Sequence, residues 1–521
     1  MCTSFYKKII LSLILFLCAA NVYAQDLDAI ESISAPESTV EQDFEYSEYA
    51  PTSLSVLPEA ERQTLTYSSY PKHAPLIALS EGVLINGVVY LFDRFILNAP
   101  YAQVSFNDIS NNFKQGFVWD NDIFSTNAFF HPYHGGLYFN SARANGLSFW
   151  QSVPYTFAGS LTWEFLCENN YPSINDFIST SIGGIAIGEI THRLSYLVLD
   201  DSKRGLERAG REILAGLISP MDLFNRILTG EAWRYSLDEE EQRDYLKEKF
   251  HINLSVFNRF IADMDKNYDT SNVAFGATAL YGDLFADKER LPYDFFMADI
   301  NFNIIGNQPL IANANVIGLL WGKQWEKEPR TFFAGIFQHF EYYHSHSLTG
   351  DGKDLYEFAE TASFGGGFYM KKQKNENQQP VFYGSFHTNF ILLGASESDY
   401  YSVFQRNYNF GSGYSVKLSA LMNFSKYFSV FFNIKTYQIF TLNDEGDEEY
   451  NSVYDEYSVP GNSGNTLFGI SVAGLGYRFT DDLSISLEQY FFWRQTHYVS
   501  FKDVSAKSTE TRLKLTYSIF N

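Results

Sequence analysis

Cysteine is almost missing: the 521-residue chain has 3, and two of them, Cys2 and Cys18, sit close to the start. Cys167 is the only thiol after them. If an export signal carrying Cys2 and Cys18 is removed, that excludes an intramolecular disulfide, and also a thiolate-rich structural zinc site, which needs several sulfurs from one chain. Basic charge is short as well. Lys and Arg number 38 against 61 Asp and Glu, a net charge of −23, and no basic face stands out. A nucleic-acid backbone is thereby excluded as the main partner, because phosphate binding needs clustered Lys and Arg. Neither a Gly-x-x-x-x-Gly-Lys phosphate loop nor a Gly-x-Ser-x-Gly nucleophile elbow occurs.

What is plentiful is aromatic. Phe, Trp and Tyr make up 17% of the chain, with 36 Tyr and 48 Phe, a load that suits a membrane barrel with aromatic girdles at its two interfaces. A soluble chain of this length would be expected to split into about three domains. The start, MCTSFYKKIILSLILFLCAANVYAQ, has basic Lys7 and Lys8, an apolar core from Ile9 to Leu17 and small-residue punctuation at Val22-Tyr23-Ala24. That is the pattern of an export signal over 1–24. Leu17 is too large for lipoprotein processing at Cys18, so the mature chain is expected to begin at Gln25.

Residues 25–75 are expected to form an acidic, mobile tail. Between Gln25 and Tyr70 there are ten acidic residues against one basic residue, Arg62, and no sustained periodicity. From about 250 to 521 apolar and polar residues alternate, which predicts strands with two unlike faces. In TRLKLTYSIF, Leu513, Leu515, Tyr517 and Ile519 share one face, and Arg512, Lys514, Thr516 and Ser518 the other. YSVKLSALMNF likewise sets Tyr414, Val416, Leu418, Ala420 and Met422 against Ser415, Lys417 and Ser419.

About twelve such runs begin near His251, Asn272, Tyr293, Pro309, Arg330, Tyr356, Pro380, Ser412, Tyr427, Thr466, Leu483 and Glu510. An even number suits a closed antiparallel transmembrane barrel. Ser425 to Tyr427 and Thr480 to Asp482 read as tight turns, whereas Ala395 to Gly411, Asn443 to Asn465 and Gln495 to Thr509 read as long polar loops. Short turns on one side and long loops on the other put the C-terminus in the periplasm and Asn443 to Asn465 outside the cell. A soluble β-sandwich also alternates, but it explains neither the strand length nor the aromatic load.

Between about Ser80 and Arg234 the pattern is helical, with breaks expected at Pro100, Pro132, Pro154, Pro172 and Pro220. In PSINDF, Ser173 is placed to cap a helix and Asp176 to meet its dipole. Four segments, FFHPYHGGLYFNSARANGLSFWQS, LTWEFLCENNYPSINDF, GGIAIGEITHRLS and LERAGREILAGLISPMDLFNRILTG, resemble the uncharacterised envelope proteins grouped as domain of unknown function 3943. The resemblance covers roughly Ser80 to Arg234 and implies a barrel as companion. It implies no activity.

One stretch bears on location. Phe177 to Leu199 is apolar, yet carries Glu189, His192 and Arg193. Its ten Phe, Ile, Leu and Val residues favour insertion by roughly 0.3 to 0.6 kcal/mol each, while Glu189 and Arg193 oppose it by about 2.5 to 3.5 each. The totals nearly cancel, so the segment stays exportable. Once across, its apolar face needs protein and its charges need partners. A barrel lumen offers both, and about twelve strands leave room for a helix or so. The expectation is therefore an α+β membrane protein: a helical domain over 76–240, part plug and part periplasmic cap, then the barrel over 250–521.

Glu189 and His192 have the i, i+3 spacing of the Glu-x-x-His ligand pair in carboxylate-bridged bundles. Glu164 and Glu168 at i, i+4, with His131 and His134, complete a set that suits zinc, iron or manganese. A second Glu-x-x-His is missing from the helical region. The competing reading pairs Glu164, Glu168, Glu189 and His192 with Arg143, Arg193, Arg208 or Arg211 as a structural network. His131 or His134 with Ser141 or Ser148 as nucleophile would suit a lipid hydrolase. Gly184-x-x-x-Gly188, beside Gly183, reads as a close helix contact.

The leading expectation is an outer-membrane protein in envelope transport or scaffolding, with no cofactor. Its partners would be outer-membrane lipid, envelope proteins or small-molecule cargo, and not nucleic acid. The rival is a barrel-supported enzyme acting on lipid or glycan. The enzyme's site would be Glu189, His192, Glu164 and the His131/His134 loop, within a candidate polar cluster of His131, His134, Arg143, Glu164, Glu168, Asp176, Glu189, His192 and Arg193.

Overall fold

Every expected period-two run coincides with a strand. The computed structural model describes residues 74–235 and 248–520, apart from 267, 347, 349–353, 373–380, 404–405, 442 and 444–458. The expected signal, the acidic segment up to 73 and most of 443–465 lie outside the described residues. The strands are β1 (Phe250–Asp263), β2 (Tyr268–Tyr281), β3 (Phe296–Ile305), β4 (Ile311–Lys327), β5 (Arg330–Ser345), β6 (Tyr356–Lys372), β7 (Phe382–Glu397), β8 (Tyr408–Asn423), β9 (Phe428–Thr441), β10 (Gly464–Arg478), β11 (Leu483–Tyr498) and β12 (Val504–Phe520).

Each strand pairs antiparallel with its sequence neighbours, and β1 also pairs with β12, His251 opposite Phe520, so the sheet is a closed barrel. Closure leaves no unpaired edge, which is the condition for spanning lipid with strands.

The two faces differ as alternation requires. Leu513, Leu515, Tyr517 and Ile519 on β12 are exposed while Arg512 is buried; Tyr414, Leu418 and Met422 on β8 are exposed while Ser415 and Lys417 are buried. An apolar outer face on a closed ring is that of an outer-membrane barrel. Inside, Arg259 pairs with Glu510 at 2.7 Å and reaches Tyr356 on the far wall at 3.5 Å. Glu341 takes Lys417 at 2.8 Å and Lys435 at 3.1 Å. Phe358 stacks on Phe468 with ring centres 4.5 Å apart and meets Tyr437 at 4.4 Å. Among the described residues, barrel side chains meet one another across the lumen.

The helical domain comprises α1 (Pro75–Phe95), α2 (Phe106–Gln115), α3 (His131–Ala144), α4 (Phe149–Leu166), α5 (Ile174–Ile178), α6 (Gly184–Val198), α7 (Gly205–Ile218) and α8 (Pro220–Thr229). Single π-turns at Thr126–Phe130 and Ser179–Gly183 lead directly into α3 and α6. Ser173 caps α5 by accepting from the Asp176 N–H, as its sequence predicts. Pro154 does not break the chain: it lies inside α4, and Pro132 sits in the first turn of α3.

The expected plug is corrected. Phe340 and Tyr342 lie on the face of β5 opposite inward Glu341, the same side as exposed Ile336. These outward residues meet the helices: Phe124 stacks on Tyr342 at 5.2 Å, and Gln338 donates to the Ile182 carbonyl at 2.8 Å. Outward Ala298 and Ile300 on β3 and Ala314 and Val316 on β4 share one core with Phe139, Ile185 and Ile190. The helical domain thus rests on the outer wall of the barrel.

The reason is volume. A helix needs about 10 Å of width, and the inward positions carry Arg, Lys, Tyr and Phe that take up the space. The contact runs the height of the wall. At the end that holds the chain termini of the barrel, Arg193 pairs with Asp294 in the β2–β3 connection at 3.1 Å. At the other end, Arg406 in the β7–β8 connection donates to the Asp120 carbonyl at 2.6 Å.

The loop expectations need adjustment too. The tight turns at 425–427 and 480–482 are present, but β11 runs to Tyr498 and β12 starts at Val504, so Gln495 to Thr509 is mostly strand. Ala395 to Gly411 shrinks to 398–407, and the turn side also holds a long connection at 282–295. Polar, exposed residues such as Gln495 and Lys507 mark strand ends that project past the apolar band, where polarity reports height and not irregular backbone.

Leu513→Arg should cost the barrel about 2 to 4 kcal/mol, because the charge would face the apolar band. Denaturant titration in lipid vesicles checks this, and unboiled wild-type protein should migrate apart from boiled protein on a gel.

Candidate functional site

Two polar clusters occupy the interior of the helical domain, and a glycine seam sets their spacing. A Cβ at Gly135 would lie 1.7 Å from the Thr180 carbonyl oxygen, and one at Gly184 would lie 2.5 Å from the Gly135 carbonyl carbon. No residue with a side chain permits that approach of α3 to α6, the close contact expected from Gly184-x-x-x-Gly188. The seam brings Arg143 of α3 beside Glu189 of α6.

In the first cluster Glu189 is fully buried and held from two sides: Arg143 Nε donates at 2.8 Å and Arg193 Nε at 2.7 Å. Arg193 continues to Asp294 and the Pro292 carbonyl of the barrel, and lies over the Tyr281 ring at 5.4 Å. His192 turns elsewhere, with Nδ1 2.8 Å from Asp222, and Ser195 donates to the same carboxylate at 2.7 Å. The Glu-x-x-His spacing therefore does not converge on one point. A carboxylate already neutralised by two guanidinium groups makes a poor cation ligand, and among the described residues no metal-spaced group includes Glu189 or His192. Arg208 and Arg211, offered by the sequence as partners, pair instead with Glu212 and Glu207.

The second cluster gathers carboxyl groups without a salt bridge to Lys or Arg among the described residues. Glu164 accepts the Ser173 N–H at 2.7 Å. Asn175 donates to Asp120 at 2.7 Å and to Asp176 at 2.9 Å, and His131 Nε2 lies 3.5 Å from Asp176. His134 is 3.0 Å from the Tyr138 hydroxyl, which also bonds Asn86. Burial pushes the Glu168 carboxyl up to about 7; the Trp163 indole N–H opposes the rise from 2.6 Å, and the charges of Asp120 and Asp93 add to it. Burial likewise pushes the Cys167 thiol up to about 12, with Glu168 and Glu164 adding to it, so it is not a thiolate nucleophile.

A hydrolase arrangement is not formed. Ser141 donates to the Tyr138 carbonyl and Ser148 caps α4, so neither serine faces a histidine. Asp120, Asn175 and Asp222 escaped the sequence reading, because Asp120 lies in an irregular stretch and the other two in the first turn of a helix, positions where Asn and Asp are ordinary.

Two outcomes follow. Glu189→Gln should destabilise by about 3 to 5 kcal/mol by leaving two buried arginines underpaired, read as a lower unfolding temperature with the barrel still formed. Glu168 binds a proton in the folded state that it lacks when unfolded, between the ordinary 4.5 and about 7. Its contribution is therefore fully favourable below 4.5 and is lost as pH rises through that window. The helical circular-dichroism signal should melt higher at about pH 5 than at about pH 7.5, and Glu168→Gln should reduce the difference without abolishing it, because burial also pushes the Glu164 and Asp176 carboxyls up.

No curated protein matches the chain. Among solved structures it is similar to the NanC porin (9% identity, 51% of this chain and 98% of that chain, TM-score 0.22). It is also similar to the toluene transporter TodX of Pseudomonas putida (9%, 52% and 88%, 0.21) and to the outer membrane channel DcaP of Acinetobacter baumannii (11%, 52% and 97%, 0.21). These superpositions are too loose to bear on cargo or mechanism. Residues 116–221, which hold Glu189 with its two arginines and the carboxyl cluster, match the model of the family described as Domain of unknown function (DUF3943).

Proposed function

We propose that this protein is an outer-membrane scaffold whose barrel anchors the helical domain sideways, within the lipid zone, and that it is not a channel. The observation that carries the reading is the division of contacts. The lumen is crossed by Arg259, Tyr356, Glu341 and Lys417, while the helices take the outward face.

Composition of the helical domain supports the same reading, since it is apolar outside and polar inside. On α1, Leu76, Val83, Val88 and Phe95 are exposed while Glu81, Asn86 and Asp93 are buried. On α4, Trp150, Leu161 and Leu166 are exposed while Ser152, Thr156 and Glu164 are buried. With 21 residues and a mean hydropathy of 1.7, α1 is long and apolar enough to cross a membrane. Its length of about 31 Å matches the hydrocarbon thickness of about 30 Å. Water would penalise such a surface, whereas lipid favours it.

In this arrangement the end holding the barrel termini is periplasmic and Asn443 to Asn465 is outside, following the habit of such barrels. Small-molecule cargo loses its route through a filled lumen. The buried ionic residues then keep the helices docked.

Reconstituted protein should show no stepwise conductance in planar bilayers; defined steps would overturn the scaffold reading. A spin label at Val88→Cys, in a Cys167→Ser background, should be accessible to oxygen and shielded from a water-soluble relaxant, as at Leu515→Cys on the barrel. Aqueous accessibility at Val88 would place the helices out of the bilayer.

A further inference from the structure

The β5–β6 connection brings two histidines and two carboxylates together at its feet. His344 and Glu357 face each other across the strand pair, and His346 and Asp354 stand just beyond the strand ends. Asp354 spans both rings, with Oδ2 2.9 Å from His344 Nε2 and Oδ1 3.0 Å from His346 Nδ1. Glu357 Oε1 lies 3.4 Å from the same His344 Nε2. Among the described residues, His344, His346 and Asp354 are the one group of three whose ligand atoms all lie within 4.8 Å of one another.

A second observation points to a missing partner. Glu357 Oε2 is buried and has no hydrogen-bond partner, although the side chain is only 4% exposed. The Glu357 and Asp354 carboxyl groups hydrogen-bond each other, sharing a proton that a cation between them would displace, and Arg494, a cation within electrostatic reach of Glu357, is bound to Asp399 at 2.6 Å and Glu397 at 3.4 Å. The Tyr342 hydroxyl, 3.1 Å from His344 Nδ1, orients the ring with Nε2 toward the carboxylates. His346 is partly exposed and leaves a way in from solvent.

We propose that His344, His346, Asp354 and Glu357 form a binding site for one divalent zinc-type ion, which ties the two feet of the β5–β6 connection together. Two neutral imidazoles and two carboxylates suit a borderline first-row ion and balance its charge. Metal–ligand bonds of about 2.0 to 2.1 Å put tetrahedral ligands about 3.3 Å apart, close to the present separations, so small shifts seat the ion. The site lies at the rim where Phe124 of the helical domain meets His344 at 5.4 Å, and it does not depend on the scaffold reading.

The test uses full-length protein, stripped with chelator and titrated with zinc alone by calorimetry and elemental analysis. Wild type is expected to bind about one equivalent per chain and to unfold at a higher temperature with zinc present. His346→Ala and Asp354→Asn should each weaken binding by about tenfold or more while keeping the heat-modifiable gel shift. Glu357→Gln should weaken it too, whereas His497→Ala, at an exposed pair with Asp503, should leave it unchanged. Folded wild type that takes up no zinc, or zinc retained by both His346→Ala and Asp354→Asn, would overturn the site.

Discussion

Closure of the sheet is the constraint on which everything else depends. Once β1 has paired with β12, every strand has one face turned in and one turned out, with no edge left to soften the division. Charges on the inner face must then find countercharges within the ring, as Arg259 does at Glu510 and Glu341 at two lysines. Burying ions in this way costs desolvation, so it stabilises only if each ion is met. A lumen filled like this has no room for a helix, which leaves the outer wall as the surface on which the preceding domain can dock.

Docking on that wall explains the unusual interior of the helical domain. Helices beside a barrel in an apolar surround gain little from burying leucine against leucine, so association falls to close packing and polar contacts. Gly135 against Thr180 supplies the first, and Glu189 with Arg143 and Arg193 supplies the second. Arg193 then joins the two halves, because one guanidinium serves both Glu189 on its own helix and Asp294 on the barrel.

How much could be read from the chain follows from the range of each interaction. Alternation is local, and so TRLKLTYSIF and YSVKLSALMNF announced both strand and face. The cap at Ser173 spans three residues and was legible for the same reason. Arg143 and Arg193 stood among the partners offered for Glu189 because helical charges near an apolar stretch must be met. The side on which the helices dock was not legible. Val316 and Phe340 are apolar and outward whether they meet lipid or Ile190, and no local pattern separates the two. His344 and Asp354 went unnoticed because a histidine at a strand end means little until the register sets Glu357 opposite it.

The helices cover outward residues from β2 to β8, whereas Val256 on β1 and Leu513 and Leu515 on β12 remain bare. The ring is therefore joined along a line where Phe250, at the very start of β1, packs against the core shared with the domain while the apolar outward residues further along stay bare. A hinge opening between the first and last strands would disturb the shared core at Phe250 and leave the seats on β2 to β8 in place, so wall docking and final zippering compete for little of the same surface. Order of assembly is thereby left free: the side domain can settle on the growing sheet before the circle is complete.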